Sequence, residues 1–202
     1  MNEKEFYYTI DKKAIAEFKD RGSHFIAHAF PINVKDDFKT SLTAVKSEHP
    51  KASHFCFAYR IGLDGNNFRS GDDGEPSGTA GKSILGQIDS KELTNTLIIV
   101  VRYFGGSLLG VPGLINAYKT TASLVLQVTP IVQKQVEVNY RLQFDYTIIN
   151  DIMMVIKQYN CTILSQEMQL FCDISIGIPV NRVDSILNRL KDIRNVEVEK
   201  VK

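Results

Sequence analysis

The sequence predicts an α+β protein with two domains, residues 1–130 and 136–202. A continuous apolar run, Thr96–Val101, is typical of a strand that is buried on both faces. From residue 136 onward, the hydrophobic pattern changes and predicts strands and helices in the order βαββαβ. Thr129-Pro130 interrupts the pattern between these two parts. We therefore expect two independently folded domains, with the boundary within residues 128–137.

The composition is that of a protein with packed cores. The chain has 202 residues, 44% of them apolar, and a formal net charge of +1. Neither predicted domain is strongly basic, so composition alone gives no support for tight nucleic-acid binding.

Three cysteines without metal-type spacing suit a reducing cytosol, namely Cys56, Cys161 and Cys172. No apolar run approaches the roughly 20 residues that span a bilayer. We expect a cytoplasmic protein that does not enter a membrane.

The first domain begins with strands and one amphipathic helix. In chain order we predict strands Phe6–Ile10, Ala14–Phe18 and 24–30, helix Lys35–His49, strand His54–Ile61 and a hairpin turn at residues 63–67. His24 and His28 share a face of their strand. They lie about 13 Å apart, however, which is too far to hold one ion together. We expect both to face solvent or to bond locally.

Two glycine-rich loops follow, at residues 70–83 and 102–113. They contain eight of the 13 glycines: Gly71, Gly74, Gly78, Gly81, Gly105, Gly106, Gly110 and Gly113. Glycine is used where φ is positive or where something approaches the backbone closely. We therefore expect the functional residues to lie in these two loops.

The first loop leads into a predicted helix from about Ala80 to Ile88. Ser77 or Thr79 is positioned to cap this helix, and three carboxylates precede the cap, where the helix dipole favours them: Asp72, Asp73 and Glu75. Gly81 and Gly86 each cost the helix about 1 kcal/mol relative to Ala. We therefore expect another element or a ligand to approach the helix closely.

The same loop resembles a nucleotide-binding loop only at its end. Gly81-Lys82-Ser83 fits the last part of the motif Gly-x-x-x-x-Gly-Lys-[Ser/Thr], but Pro76 occupies the position that requires the first Gly. The carboxylates just upstream would also repel phosphates. We therefore exclude a nucleotide site of this type.

The second loop follows the buried strand directly. Arg102 stands at the carboxyl end of that strand, where ligand sites gather in open α/β sheets. Gly105 and Gly106 turn the chain, and Pro112 suits the first turn of a helix over about residues 113–127. Arg102 either contacts a ligand or pairs with Asp72 or Asp73 and so ties the two loops together.

These loops carry a resemblance to a known family. Asp-Asp-Gly-Glu-Pro-Ser-Gly-Thr-Ala-Gly at residues 72–81, Val-Val-Arg-Tyr-Phe-Gly-Gly at 100–106 and the upstream His54-Phe-Cys-Phe-Ala-Tyr-Arg60 resemble motifs of the IMPACT/YigZ-like family. Gly110-Val-Pro-Gly-Leu114 departs from the family pattern, which has a Thr and a second Gly between the flanking glycines. The resemblance implies a first domain like domain four of elongation factor G, a ribosomal-protein-type βα fold. The resemblance also implies that eukaryotic relatives have an additional amino-terminal partner-binding domain and act in control of translation initiation. We expect this chain to have no room for that domain.

The second domain is predicted from its order of elements. Strand Val136–Tyr146, helix Ile148–Tyr159, strands Cys161–Gln166 and Leu170–Ile178, helix Val180–Leu190 and strand Val196–Val201 make a ferredoxin-like βαββαβ module. The family resemblance implies the same module, similar to the last domain of elongation factor G. No catalytic constellation is evident here, so we interpret it as a docking or binding module.

Two functions follow from these observations. The preferred one is a non-enzymatic, translation-linked regulatory or binding protein that contacts RNA, the ribosome or a protein partner, without a cofactor or metal. Its groove would lie between the two loops and consist of His54, Asp72, Asp73, Glu75, Ser77, Thr79, Lys82, Arg102, Tyr103, Phe104, Gly105 and Gly106.

The alternative is a hydrolase of unknown substrate that uses Asp72, Asp73 and Glu75 with Arg102 or His54. A divalent ion held by two of these carboxylates is a variant of this alternative. Cys56, on the same strand face as His54, is a further candidate nucleophile, although a small apolar-flanked cysteine is more often a packing residue.

Overall fold

The computed structural model describes residues 4–201, which divide into two compact units. One unit is Tyr7–Lys134, and the other combines residues 4–6 with 135–201. Residues 4–6 join the second unit because the Val136 amide donates to the Glu5 carbonyl and the Asn181 amide donates to the Glu5 carboxylate. The sequence division had assigned these residues to the first domain.

The first unit, together with one flanking residue at each end, contains seven strands and three helices. In chain order these are β1 (Phe6–Ile10), β2 (Ala14–Asp20), β3 (Ser23–Pro31), α1 (Lys35–Glu48), β4 (His54–Ile61), β5 (Asn67–Gly71), α2 (Gly81–Ser90), β6 (Thr96–Tyr103), α3 (Gly110–Val128) and β7 (Ile131–Gln135). Each predicted element is present, with ends that differ from the prediction by up to three residues. The predicted turn at residues 63–67 joins β4 and β5 as an antiparallel hairpin.

Five of these strands form one antiparallel sheet in the order β2-β3-β6-β4-β5, while β1 and β7 form a separate two-stranded sheet. Strand β6 is central and pairs with β3 and β4. The expected ligand-binding edge at Arg102 was therefore wrong, because the carboxyl ends of neighbouring strands meet only in parallel sheets.

Helices cover both faces of the sheet, which explains why the whole apolar run of β6 is buried. Ile98 and Val100 pack in the core beneath α2 and α3. Leu97, Ile99 and Val101 face the other core, which contains Phe38 and Val45 of α1. The face beneath α2 and α3 is lined with small side chains that let two helices lie close to the sheet, namely Ala27, Ala29, Cys56 and Ala58.

The second unit has the predicted order of strands and helices. Its elements are β8 (Glu137–Asp145), α4 (Ile149–Gln158), β9 (Thr162–Met168), β10 (Phe171–Pro179), α5 (Val183–Lys191) and β11 (Val196–Lys200), with single 3₁₀ turns before α4 and α5. The strands form an antiparallel sheet in the order β11-β8-β10-β9. Alternate residues of β8 are buried with Ile152 and Ile186 of the two helices, whereas Arg141 is exposed and pairs with Asp173.

Among the helices within residues 4–201, none combines the length and the hydropathy needed to cross a bilayer.

Candidate functional site

The first glycine-rich loop is organised around the carboxylate of Asp72. This group accepts hydrogen bonds from the backbone amides of Gly78 (2.8 Å), Ala80 (3.0 Å) and Gly81 (2.8 Å). Burial alone would raise the pKa of Asp72, but the bonds from Gly78, Gly81 and Ala80 outweigh it and hold the pKa below its ordinary value. Asp72 therefore caps α2 from outside the helix.

The predicted capping by Ser77 or Thr79 was wrong. The Thr79 hydroxyl donates to the Pro76 carbonyl at 2.7 Å, and Ser77 is exposed, with no side-chain cap bond at the start of α2. Asp72, eight positions before Ala80, caps the helix instead, because the loop folds back over the helix N-terminus.

Asp73 ties the first loop to β4. Its carboxylate accepts a 2.7 Å hydrogen bond from the Phe55 amide, and its carbonyl oxygen lies 2.8 Å from Nδ1 of His54. A carbonyl oxygen only accepts, so Nδ1 of His54 carries a proton. Asp73 has φ of 43°, a conformation that non-glycine residues adopt rarely. This turn sends the side chains of Asp72 and Asp73 to different partners.

Glu75 lies beneath the loop and binds Arg102. Nη1 of Arg102 donates to Oε1 of Glu75 at 2.6 Å, and the side chains are 5% and 3% exposed. The same oxygen accepts a 2.8 Å hydrogen bond from the Tyr118 hydroxyl of α3. Burial, together with neighbouring Cys56 and Glu75, raises the pKa of Tyr118, so the hydroxyl keeps its proton. The two loops and α3 thus meet at one carboxylate.

The partner predicted for Arg102 was therefore wrong, since Glu75 takes the place of Asp72 or Asp73. The turn closed by the Glu75 amide and the Asp72 carbonyl, at 3.0 Å, directs Glu75 inward. The guanidinium carbon of Arg102 also lies over the rings of Phe25 (5.4 Å) and Phe104 (5.5 Å). Nη2 reaches the Ser23 hydroxyl at 3.4 Å, whereas Nε, although buried, has no hydrogen-bond partner.

The second loop is held against the β2–β3 turn by a contact between two glycines. A side-chain carbon on Gly105 would lie 1.9 Å from the carbonyl carbon of Gly22, and one on Gly22 would lie 2.8 Å from the carbonyl oxygen of Gly105. Neither position has room for a Cβ. The Gly105 amide donates to the Ser23 hydroxyl at 3.2 Å, and the Phe104 amide donates to the Ser53 hydroxyl at 3.3 Å.

Gly81 and Gly86 of α2 have different surroundings. A Cβ on Gly81 would lie 2.7 Å from the backbone nitrogen of Gly71, so the end of β5 is the element that approaches the helix. A Cβ on Gly86 would meet nothing within 4 Å. The expected close approach is present at Gly81, and the expectation for Gly86 was wrong.

Cys56 is buried among these same groups. Its thiol donates to the Asp72 carbonyl at 2.9 Å and lies 3.3 Å from the Tyr118 hydroxyl. Burial raises the pKa of the thiol, and the nearby carboxylates raise it further against a smaller lowering by Tyr118. A thiol in this state is a poor nucleophile, so the geometry opposes the thiolate hypothesis.

The predicted site residues thus fall into three groups by exposure. Buried ones are Glu75, Thr79 and Arg102; partly buried ones are His54, Asp72 and Tyr103; exposed ones are Asp73, Ser77, Lys82, Phe104, Gly105 and Gly106. Tyr103 points to the α1 side of the sheet, where its hydroxyl lies 3.0 Å from Nδ1 of His49.

Sequence reasoning missed four residues that complete this cluster: Gly22, Ser23, Phe25 and Tyr118. A signal for Tyr118 exists in the sequence. It lies on the buried face of α3 with Leu114, Ala117 and Thr121, where a hydroxyl needs a buried partner.

The fold and this loop pair define a two-unit α+β protein whose signature loops are joined by a buried ion pair. The family model described as the Impact N-terminal domain matches residues 21–126. The chain is 30% identical over 191 residues to an IMPACT family member of Haemophilus influenzae, covering 92% of this chain and 91% of that protein. It is 32% identical over 176 residues to IMPACT family member YigZ of Escherichia coli, covering 86% of this chain and 85% of that protein.

The chain therefore belongs to the IMPACT family. Among solved structures it resembles one described as the crystal structure of a hypothetical protein. The TM-score is 0.77 at 27% identity, and the match covers 98% of each chain.

Proposed function

We propose that this chain is a non-enzymatic, translation-linked regulatory protein of the cytoplasm. It binds ribosomal RNA on the ribosome through the exposed residues of its two glycine-rich loops. The link to translation comes from the family resemblance, which implies that eukaryotic members act in control of translation initiation. The proposed likeness of the units to domain four and the last, ferredoxin-like domain of elongation factor G points the same way.

One observation carries the choice of binding over catalysis. Each carboxylate of the first loop accepts hydrogen bonds from the chain itself: Asp72 from the start of α2, Asp73 from β4, and Glu75 from Arg102 and Tyr118. These groups stabilise the shape of the loops. Arg102 accordingly serves as the scaffold of the proposed surface and does not contact phosphate.

The exposed residues of the two loops have the chemistry of an RNA contact. Lys82 is exposed in the first turn of α2, where an ammonium group can reach a phosphate. Phe104 is 49% exposed and Leu108 is 85% exposed in the second loop. Phe104 offers one ring face to a base while Arg102 lies against the ring.

Ribosome co-sedimentation over a salt series tests this proposal. Lys82→Ala should weaken binding and lower the salt slope by about one phosphate contact. Lys91→Ala, an exposed lysine at the other end of α2, is the matched control and should change neither quantity. Purified ribosomal RNA in place of ribosomes should reproduce the same ranking.

The aromatic contact has its own control. Phe104→Leu should weaken binding about tenfold, since stacking on a base is worth about 1–3 kcal/mol. Phe68 is also exposed and has the guanidinium carbon of Arg60 4.9 Å from its ring centre, so Phe68→Leu removes an equivalent ring elsewhere and should leave binding unchanged. A folded Lys82→Ala, Phe104→Leu double variant that binds ribosomes as tightly as the parent overturns the proposal.

The hydrolase alternative retains one favourable feature. Because Nδ1 of His54 is held by the Asp73 carbonyl, Nε2 is left as the basic nitrogen, 3.9 Å from Oε1 of Glu75. In this case, His54→Gln and Asp73→Asn should abolish turnover in a broad hydrolase screen while the fold and RNA affinity persist.

A further inference from the structure

A second cluster of polar side chains lies on the opposite face of the sheet, beneath α1. His28 of β3 is 4% exposed, and its Nε2 lies 3.1 Å from Nε2 of His49, the residue at which α1 ends. The two rings meet at 72° with their centres 5.2 Å apart. Two ring nitrogens therefore point at one another from separate elements.

A carboxylate completes the cluster. Glu48 is the last residue of α1. One carboxylate oxygen of Glu48 and one ring nitrogen from each of His28 and His49 all lie within 4.8 Å of one another. The unpaired carbonyls at the end of a helix carry partial negative charge, which favours a cation at this position. Glu48 is exposed and His49 half-buried, so solvent reaches the cluster from one side.

We propose that His28, His49 and Glu48 bind one Zn²⁺ ion, with a solvent molecule in the fourth position. Two imidazole nitrogens about 2.0–2.1 Å from a tetrahedral zinc ion stand roughly 3.3 Å apart, close to the 3.1 Å separation here. Two histidines and a glutamate form a recognised zinc ligand set, in which the fourth position stays open. The sequence does not predict a metal site here, because spacing along one strand relates His28 to His24 and not to the end of α1.

The surroundings of the cluster support metal binding. Nδ1 of His49 lies 3.0 Å from the Tyr103 hydroxyl, which can accept its proton and so leave Nε2 free for a metal. Without a metal, one proton shared between the two Nε2 atoms would satisfy the pair.

Zinc titration of the full chain at pH 7.5 against a chromophoric chelator tests the proposal. The parent should bind one zinc per chain. His49→Gln should weaken binding at least 100-fold, and Glu48→Gln about tenfold. Both positions are at the solvent-facing end of α1, so the fold should persist, as circular dichroism can verify. His54→Gln is the matched control and should bind as the parent does, because His54 is on the Cys56 face of β4, opposite to this cluster, and its Nδ1 lies 2.8 Å from the Asp73 carbonyl.

Two further readouts separate a built site from surface binding. Co²⁺ in place of Zn²⁺ should give the intense visible absorption of tetrahedral coordination in the parent and not in His49→Gln. Tyr103→Phe should weaken zinc binding by about 10–100-fold, as the loss of a partner to a metal ligand does. Binding below one zinc per chain, equal affinity of parent and His49→Gln, or a loss in the control variant His54→Gln would overturn the proposal.

Discussion

Glu75 and Arg102, 27 residues apart in the sequence, form an ion pair of 2.6 Å in which both side chains are almost completely buried. Removing two charges from water is costly, and the pair is stable only when further hydrogen bonds satisfy it. The Tyr118 hydroxyl donates one to Glu75, and the Ser23 hydroxyl accepts one from Arg102. The first loop, the second loop, the β2–β3 turn and α3 are thereby joined at one point.

Loss of one partner should destabilise the first unit strongly. Arg102→Met leaves the Glu75 carboxylate buried without its counter-charge and should lower the free energy of unfolding by about 3–5 kcal/mol. In the Glu75→Gln, Arg102→Met double variant no buried charge remains, so part of this loss should be recovered. Urea denaturation of the parent, the two single variants and the double variant measures the coupling free energy between Glu75 and Arg102.

The exposed pair of Asp36 and Lys39 provides the control for that cycle. Their side chains are 82% and 75% exposed, so Lys39→Ala should cause no measurable loss of stability. A loss below about 1 kcal/mol for Arg102→Met would show that the buried pair does not hold the loops together.

The capping role of Asp72 predicts a specific pH dependence. The folded-state pKa lies below the ordinary value of 3.8, so the carboxylate stabilises the fold above that value and this contribution disappears as the pH falls through the folded-state pKa. Asp72→Asn should cost about 1–2 kcal/mol at pH 7, a typical cap effect. The difference between parent and variant should shrink as the pH falls from about 4 to 2.

Urea unfolding at a series of pH values measures this difference. Asp64→Asn is a suitable control, because Asp64 accepts a hydrogen bond from the amide of Asn66 in the exposed β4–β5 turn, away from any helix N-terminus. A gap between parent and Asp72→Asn that stays constant down to pH 2 would contradict an ionised cap.

The cysteines should differ in reactivity according to their burial. Burial raises the pKa of Cys56 strongly, whereas for the half-buried Cys161 burial, with Glu137, raises the pKa to about 11. In the native protein at pH 8, iodoacetamide should therefore label Cys161 slowly and leave Cys56 unlabelled, with Cys56 reacting only after unfolding in urea. Peptide mass spectrometry follows both sites. Labelling of Cys56 ahead of Cys161 would restore the thiolate hypothesis.

The sequence predicts the elements well because hydrophobic periodicity is a local signal. The run Thr96–Val101 and the segment His54–Ile61 both correspond to observed strands, and all of Thr96–Val101 is buried as expected. The partners of charged groups are not local. Nothing in the sequence says that the positive φ of Asp73 turns Glu75, and not its acidic neighbours, towards Arg102.

The histidine cluster was missed for a related reason. His28 and His49 lie 21 residues apart, and their proximity depends on how α1 crosses the sheet. Spacing along one strand reveals nothing about it. Tyr103 illustrates the same difficulty, since alternation along β6 directs it away from Arg102 and to His49.

The two glycines of α2 give a final test, in which the same substitution should have opposite effects. Gly86→Ala adds a methyl group where nothing lies within 4 Å and should stabilise the protein by about 0.5–1 kcal/mol, the usual helix-propensity gain. Gly81→Ala would place its Cβ 2.7 Å from the backbone nitrogen of Gly71 and should destabilise it by about 1–3 kcal/mol, despite the same propensity gain. Thermal and urea unfolding of both variants measure the difference. Similar stabilities for the Gly86→Ala and Gly81→Ala variants would mean that α2 does not pack against the end of β5 as described. The acidic loop between β5 and α2 would then be held less tightly than its hydrogen bonds indicate.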